Sequence, residues 1–276
     1  DTAGVREYPA LWSPDGQQVA WIVESLSGQR LVVADQTGMG EQQSFELGPD
    51  YYSLQAWHAD ARRIVFTDNH RKLYAISLDG GEVTTIAENV RRAGFDVAFS
   101  PDGRWLAYNL EQTNYHADLV VHDFDSGEST LITNGMADVA SPAFDPKGEY
   151  LYFAASTNSG PLQVGLNMTS QERPYRAGLY AVVLASDGDS PLAPETGDEP
   201  AEDESDDANG EDGSDQNGND DNSGDEGDDG GNGNGNGNGD KETPAVEIDF
   251  DGIERRIIGL PVAEGNYSSL QVAGSG

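Results

Sequence analysis

The sequence of 276 residues contains no cysteine. Disulfides, thiolate nucleophiles and cysteine-ligated zinc or iron–sulfur sites are therefore excluded. Basic residues are also scarce, because 15 Lys and Arg stand against 50 Asp and Glu, which gives a formal net charge of −35. Binding to a phosphate backbone or an anionic membrane relies on clustered Lys and Arg. We therefore expect neither a nucleic-acid nor a membrane partner.

Long apolar runs and a starting methionine are missing as well. No stretch reaches the ~20 apolar residues that a membrane-spanning helix needs, and no signal-peptide pattern is present. The chain begins at Asp1 and stops in "VAGSG", so we expect it to be a piece of a longer protein.

One phrase recurs along the chain. Its copies are "WSPDGQQVAW" (12–21), "WHADARRIVF" (57–66), "FSPDGRWLAY" (99–108) and "FDPKGEYLYF" (144–153). They lie roughly 45 residues apart, the length of one four-stranded blade in known propeller families. In "SPDG" the proline presets φ for the first central position of a turn, and glycine closes it, which predicts a hairpin between the first two strands of a blade. The residues aligned at the start of this turn are Ser13, His58, Ser100 and Asp145.

The pattern predicts an all-β fold, a β-propeller of four-stranded blades forming a partial ring. "NYSSLQVA" (266–273) repeats "DYYSLQAW" (50–57), so about four blades and the start of a fifth are expected. We predict blades over 1–186, a disordered acidic insert over 187–244, and the last strand of the fourth blade with the start of the next over 245–276. The aromatic residues before each turn are predicted to fill the core between adjacent blades: Trp12, Trp57, Phe99 and Phe144.

The insert is rich in Asp, Asn and Gly and nearly free of aliphatic side chains. Such a composition cannot bury enough apolar surface to offset the entropy of ordering. Asp, Asn and Gly are the residues of calcium-binding loops, but the spacing of an EF-hand is not met, even in "EIDFDG" at 247–252. We interpret the segment as a solubilising tether.

No catalytic motif emerges from the residues. There is no G-x-S-x-G elbow, no phosphate-binding glycine loop and no dinucleotide fingerprint. "YHADLVVHD" resembles a metal cluster, but on one strand its side chains spread over ~20 Å. We predict turn and surface roles for the histidines, and no catalytic, cofactor-binding or metal-binding residue. The residues considered were His58, His70, His116, Asp118, His122 and Asp123.

The stretch from Phe99 to Pro161, followed by "LYAVVLASDGDSPLAPE", "DFDGIERRI" (249–257) and "LPVAEGNY" (260–267), resembles the second propeller of tricorn-like proteases. The resemblance implies a serine peptidase built from a six-bladed propeller, a seven-bladed propeller, a PDZ domain and a catalytic core beyond Gly276. It also implies a homo-oligomer, a cytoplasmic location and oligopeptide substrates, guided or gated along the propeller axis. No catalytic residue of that family maps onto this chain, and no cofactor is implied.

Two alternatives stay open at this point. One is a TolB-like interaction propeller with no enzyme attached. The other is the propeller lid of a prolyl-oligopeptidase-like hydrolase. Because the N-terminus of the parent chain is not present, the periplasm is the alternative location.

Overall fold

The computed structural model describes residues 6–7, 9–26, 28–58, 62–91, 94–157, 175–193 and 244–272. Over these ranges the chain forms four antiparallel sheets, and its one helix is a short 3-10 turn, Ile253–Arg256. No helix within them is both long and apolar enough to cross a membrane. The all-β prediction is therefore confirmed.

Each sheet is one blade. In blades 2 to 4 the strands follow one another in chain order, and in blade 1 the first two strands both pair with the third. Blade 1 holds β1 (Arg6–Glu7), β2 (Leu11–Trp12), β3 (Gln18–Ser25), β4 (Gly28–Asp35) and β5 (Gln43–Gly48). Blade 2 holds β6 (Tyr52–His58), β7 (Arg63–Asp68), β8 (Lys72–Ser77) and β9 (Val83–Glu88). Blade 3 holds β10 (Val97–Phe99), β11 (Trp105–Glu111), β12 (Ala117–Asp123) and β13 (Ser129–Leu131). Blade 4 holds β14 (Asp138–Phe144), β15 (Tyr150–Ser156), β16 (Gly178–Val183) and β17 (Ile257–Gly259).

The inner strands are β2 in blade 1 and the first strand in each of blades 2 to 4. β2 contacts β6, β6 contacts β10, and β10 contacts β14, so these strands lie around a common axis. The hairpins from first to second strand and from third to fourth strand lie at one end of the blades, here called the turn face. The hairpins from second to third strand and the crossings between blades lie at the other end, here called the crossover face.

The core lies between the blades, in three clusters of buried side chains. Ile22 and Leu31 of blade 1 pack with Trp57 and Ile64 of blade 2. Corresponding clusters join blades 2 and 3 and blades 3 and 4. Removing such a side chain from water stabilises the fold by about 1.5–3 kcal/mol, so neighbouring blades stabilise one another.

Three of the predicted turns form as expected, whereas the turn at His58 runs through residues 59–61, which lie outside the described residues. The amide of Gly16 donates to the carbonyl of Ser13 at 2.9 Å, and Gly103 and Gly148 make the equivalent bonds. All three glycines have φ between 70° and 74°, a region that other residues rarely adopt. The side chain at the first turn position also accepts a backbone amide across the hairpin; Ser100 Oγ, for example, accepts from Trp105 N at 2.9 Å.

The last strand of blade 4, predicted within residues 245–276, is Ile257–Gly259, which pairs with β16. One expectation about a side chain was wrong. Trp12 was expected in the core but is 57% exposed, whereas Trp57 is 7% and Phe144 9% exposed. Both buried aromatics pack against the preceding blade, and blade 1 has no preceding blade among the described residues.

The predicted acidic insert falls mostly outside the described residues. The chain divides into a propeller unit, Asp1–Leu192 with Thr243–Gly276, and a second unit, Ala193–Glu242. Residues 194–243 of the insert are not described.

Candidate functional site

An open pocket of about 550 Å³ lies at the axis, near the crossover face. We call it the axial pocket. It is lined by residues 51–55 at the start of blade 2, by Pro9 between β1 and β2, and by Gly94 just before blade 3. Ile22 of β3, Thr67 and Asp68 of β7, and Asn69 just after β7 complete its wall. The pocket is therefore built from blades 1 and 2 and the residue that leads into blade 3.

The inner strand β6 presents part of its backbone to this pocket. Asn69 N donates to Tyr51 O at 3.0 Å, which makes these two residues a hydrogen-bonded pair. Alternation along an antiparallel ladder then turns the N–H and C=O of Tyr52 and Leu54 away from β7. Tyr52 N donates to Gln29 Oε1 at 2.8 Å, which fixes β6 against blade 1. A bulge between Leu54 and Ala56 interrupts the ladder at Gln55.

Asp68 is 5% exposed and organises the wall of the pocket. Its Oδ1 accepts the backbone amides of His70 and Lys72, each at 2.8 Å. Its Oδ2 accepts the hydroxyl of Tyr74 at 2.9 Å. Burial first, and then this hydrogen bond and the charge of Asp68, raises the pKa of Tyr74. Burial and the carboxylates of Asp50 and Asp68 likewise raise the pKa of Tyr52, because a negative site disfavours a second negative charge.

Asp50, Asp68 and His70 bring one potential metal-ligand atom each to within 4.8 Å of one another. His70 Nδ1 lies 3.3 Å from Asp50 Oδ1, and the His70 side chain is 61% exposed. Asp68 already accepts three hydrogen bonds from the hairpin that carries it. The hydrogen bonds of Asp68 therefore stabilise the β7–β8 turn. His70 occupies the hairpin predicted for it.

A second polar contact lies on the inner strands of blades 3 and 4. Ser141 has φ 52° at the bulge of β14. Its amide donates to Asp96 Oδ2 at 2.8 Å, and its hydroxyl oxygen accepts from Ser269 N at 3.1 Å. Ser269 lies in the segment predicted to open the fifth blade. These bonds hold three successive inner segments together. They are made by Ser141 in a backbone conformation that serine rarely adopts.

On the turn face, blade 2 bonds to the first hairpin of blade 3. His58 Nε2 lies 3.0 Å from the carbonyl oxygen of Pro101, and Arg63 donates to the carbonyl of Gly103 at 3.1 Å. The Arg63 guanidinium also lies 3.9 Å above the ring of Phe124. His58, expected in a degenerate turn, therefore contacts the neighbouring blade.

The segment that follows the insert bonds to blade 3 as well. Val246 N donates to Asp102 Oδ2 at 2.8 Å, and the indole of Trp105 donates to Val246 O at 2.9 Å. Phe250 packs edge-on against Trp105, with 5.7 Å between ring centroids. This segment, residues 245–250, is here called the strap.

The His and Asp residues of "YHADLVVHD" do not assemble into one site. Asp118 accepts from Thr133 and Gly135, Asp123 accepts from Arg104, and His116 is half-buried in a hairpin. His122 is 3% exposed, so the predicted surface role was wrong for it. Alternation along β12 turns it between blades, where it packs edge-on against Phe124.

His122 also makes a Ser–His contact, with Nδ1 2.9 Å from Ser129 Oγ. Nucleophilic catalysis by serine needs a base oriented by a third group on its other ring nitrogen. No carboxylate among the described residues bonds that nitrogen. Burial lowers the pKa of the His122 imidazole, which favours its neutral form. The contact is a cross-strand pair between β12 and β13 within blade 3.

The residues of the axial pocket were not identified from the sequence. "YYSLQ" was interpreted only as the start of a strand. Two features of the sequence could have identified the pocket. They are the polar residues Ser53 and Gln55 within an inner strand, and the near repeat of "YYSLQ" at residues 267–271.

The chain matches one protein family over its whole length. The model described as "Tricorn protease second beta propeller domain" matches residues 1–276. "Tricorn protease homolog 1" of Streptomyces coelicolor is 24% identical over 288 aligned positions, which cover 100% of this chain and 24% of that protein. "Uncharacterized peptidase YuxL" of Bacillus subtilis is 29% identical over 157 residues, which cover 55% of this chain and 22% of that protein.

Among solved structures, a crystal structure of the tricorn protease superposes with a TM-score of 0.59 at 18% identity, covering 91% of this chain and 21% of that one. This likeness supports the fold. The chain spans about a quarter or less of the length of the curated relatives that it matches.

Proposed function

The chain belongs to the family of the second β-propeller domain of tricorn protease, and from this premise we propose that it is a noncatalytic propeller that guides or gates oligopeptides. The peptides would pass along the axis toward a serine peptidase core outside these 276 residues. The observation that carries the proposal is the axial pocket, which lies along the inner strand β6 and is lined by residues of blades 1 and 2 and by Gly94 just before blade 3.

The chemistry of the pocket suits an extended peptide. Ser53 is exposed and Gln55 half-exposed, so hydroxyl and amide groups are available beside apolar walls. The outward N–H and C=O of Leu54 offer a short edge for main-chain hydrogen bonds. The bulge at Gln55 limits that edge, which favours passage over tight pairing. None of these groups is a catalytic residue.

The remainder of the proposal concerns the full-length protein. Its other domains, a first propeller, a PDZ domain and a catalytic core, are the expected partners of this chain, together with further copies of the protein. Hydrolysis of fluorogenic peptides by the 276-residue chain and by the full-length gene product tests the assignment. We expect hydrolysis by the full-length protein alone. If both proteins are folded and neither hydrolyses peptides, an interaction propeller without an enzyme is the better assignment.

Guiding is tested separately by narrowing the pocket in the full-length protein. Ser53→Trp places a bulky side chain at an exposed position of the pocket wall. We expect kcat/KM for long peptides to fall several-fold while that for very short peptides is unchanged. Leu131→Trp, at an exposed position of β13, is the matched control. Equal effects on long and short peptides, or an equal effect of the control, would contradict guiding by this pocket.

A further inference from the structure

We propose that another domain of the same polypeptide docks on blade 3 through a patch of the crossover face, formed by Val90, Arg91, Tyr115 and Met136. This inference rests on the proposed function, which expects further domains in the full-length protein, and it assigns the surface on which one of them packs. It follows from the backbone strain, the bracing, the composition and the charge of these residues.

Tyr115 stands at the tip of the hairpin between β11 and β12 with φ 71°. A bulky side chain rarely adopts this left-handed region, and such strain persists only where the surrounding structure enforces it. The residue is nevertheless 56% exposed. The strained backbone therefore presents an aromatic ring at the surface instead of burying it in the core.

The hairpin that carries Tyr115 is braced from both sides. Arg91 donates to two of its carbonyls, and the guanidinium lies 3.9 Å from the centre of the Tyr115 ring. On the other side, Asn114 Nδ2 donates to the carbonyl of Gly135 at 2.9 Å, which brings the crossing that carries Met136 against the hairpin. An anchor that is already held in place loses little conformational entropy when a partner binds.

The composition of the patch is that of the centre of a protein–protein interface. Tyr, Met and Arg are enriched at such centres, whereas Asp, Glu and Lys are depleted. Val90 and Met136 are both exposed, and the exposed fraction of Met136 is 78%. Single exposed apolar residues need no explanation, but here three of them surround one guanidinium.

The patch also lacks the negative charge that dominates the protein. Its three segments, 89–91, 112–116 and 133–137, contain no Asp or Glu. The carboxylates next to them are buried, and each accepts a backbone amide: Glu111, Asp118 and Asp138. In a chain with a net charge of −35, this surface allows an acidic neighbour to approach without strong repulsion.

A pocket of about 210 Å³ adjoins the patch between blades 3 and 4. Asn134 and Met136 line one side of it, and Phe153 and Tyr180 of blade 4 line the other. These walls suit a single aliphatic or aromatic side chain. The patch thus combines a projecting ring with an adjacent recess, and packed pockets of this kind hold the anchor residues of interfaces.

A domain outside these 276 residues is the occupant that fits the patch. The chain spans about a quarter or less of the length of its curated relatives, so most of such a polypeptide lies outside it. A tethered domain meets the patch at a high effective concentration, which lets a small surface hold it. The docking surface of that domain is apolar at its centre and places a hydrogen-bond acceptor against the exposed guanidinium of Arg91.

Methionine oxidation in the full-length protein tests this docking. Met136 on the patch is 78% exposed and Met39 on the turn face is 93% exposed, so dilute hydrogen peroxide should oxidise both at similar rates unless another domain covers one of them. Mass spectrometry of peptides follows both residues in the same sample. We expect Met136 to be oxidised about tenfold more slowly than Met39, which corresponds to docking in roughly nine of ten molecules.

Tyr115→Asn in the full-length protein should remove most of this protection. Asparagine adopts the left-handed region more readily than tyrosine, so the hairpin keeps its conformation while the projecting ring is lost. Leu131→Asn, at an exposed position of β13 in the same blade, is the matched control and should leave Met136 protected. Thermal unfolding of each variant verifies that it is folded.

The outcomes separate this inference from the proposed function. Equal oxidation of Met136 and Met39 would overturn the docking, and peptide hydrolysis by the same sample shows whether the proposed function still stands. Protection that disappears when the protein is diluted until it dissociates into single chains would overturn the docking in favour of a second copy. Protection that survives Tyr115→Asn would overturn the role of the patch. If Met136 is protected as expected but no peptide is hydrolysed, the docking stands and the proposed function fails.

Discussion

The carboxylate of Asp123 accepts four hydrogen bonds at the turn face of blade 3. Its two oxygens accept a bidentate pair of bonds from Arg104, at 3.1 and 3.0 Å. It also accepts the amide of Asp125 at 2.9 Å and the hydroxyl of Ser126 at 3.1 Å. The Arg104 hydrogen bond is the main cause that lowers the pKa of Asp123 to about 2.

This lowered pKa makes a prediction for Asp123→Asn. The folded pKa lies below the unfolded value of 3.8, so the contribution to stability is present above that value and is lost as pH falls through about 2. We expect the variant to lose about 1–3 kcal/mol of unfolding free energy near neutral pH, and the difference from wild type to shrink in strong acid. Urea unfolding of the wild type and the variant, near neutral pH and in strong acid, measures this difference in unfolding free energy.

Asp79→Asn is the control for this change, because Asp79 pairs with Arg62 at a site where its side chain is 70% exposed. Exposed ion pairs contribute about 0–1 kcal/mol. A loss in Asp123→Asn no greater than that of the control would show that its bonds do not stabilise the hairpin.

Individual residues were the least predictable level from sequence. A histidine near a strand end was expected at the surface, yet His122 is buried, because strand alternation and the neighbouring blade decide its exposure. A tryptophan before a turn was expected in the core, yet Trp12 is exposed. In both cases the exposure of the side chain depends on its neighbour across the blade interface, which the local sequence does not show.

At the scale of elements, the first hairpin of blade 4 and the strap depend on each other. Gly148 has φ 74°, and a Cβ added there would lie 2.5 Å from Val246 Cγ2. Val246 is 2% exposed. The glycine therefore serves both the turn conformation and the close approach of the strap.

Gly148→Ala and Gly16→Ala separate these two roles. Gly16 has φ 70° at the equivalent turn position, but nothing lies within 4 Å of a Cβ added there. Both variants strain the backbone by about 1 kcal/mol, and Gly148→Ala adds an overpacking penalty of about 1–3 kcal/mol. Urea unfolding should show a larger loss of unfolding free energy for Gly148→Ala than for Gly16→Ala. Adding Val246→Ala to Gly148→Ala should reduce the overpacking part of that loss. Equal losses in the two single variants would contradict close packing of the strap.

Strands were predicted well next to the regular turns. The hairpins predicted at "SPDG" (100–103) and "DPKG" (145–148) are each followed by the second strand of a blade, Trp105–Glu111 and Tyr150–Ser156. After the insert, "AVEIDFDG" alternates like a strand but does not form one. Val246 bonds to Asp102 and Trp105 of the preceding blade, and Asp249 N donates to the carbonyl of Leu184, just after β16.

At the scale of the whole molecule, the four blades leave Trp12 without the neighbour that its counterparts have. Trp57, Phe99 and Phe144 each pack against the blade before their own. If a further blade of the full-length protein lies against blade 1, Trp12 gains the same environment.

Acrylamide quenching of fluorescence tests this expectation. In the 276-residue chain, Trp12→Phe should remove a strongly quenched component, because Trp12 is 57% exposed. In the full-length protein the same substitution should leave the quenched fraction nearly unchanged. A quenched component of equal size in both proteins would mean that no blade covers Trp12.

The fold was predictable at this scale and the pocket was not. The repeat length and its turns predicted four-stranded blades, since both are local features of the sequence. The axial pocket combines Pro9, residues 51–55, Asp68 and Gly94, which come together only when three blades are arranged around the axis.

The strap also has a consequence for the order of synthesis. Trp105 and Val246 are 141 positions apart in the chain, yet the indole of one bonds to the carbonyl of the other. At a translation rate of 5 to 20 residues per second, roughly 7 to 30 s separate their emergence from the ribosome. Through that interval the indole of Trp105 lacks its native acceptor. The packing of blade 3 in the nascent chain therefore stays incomplete until blade 4 has been synthesised.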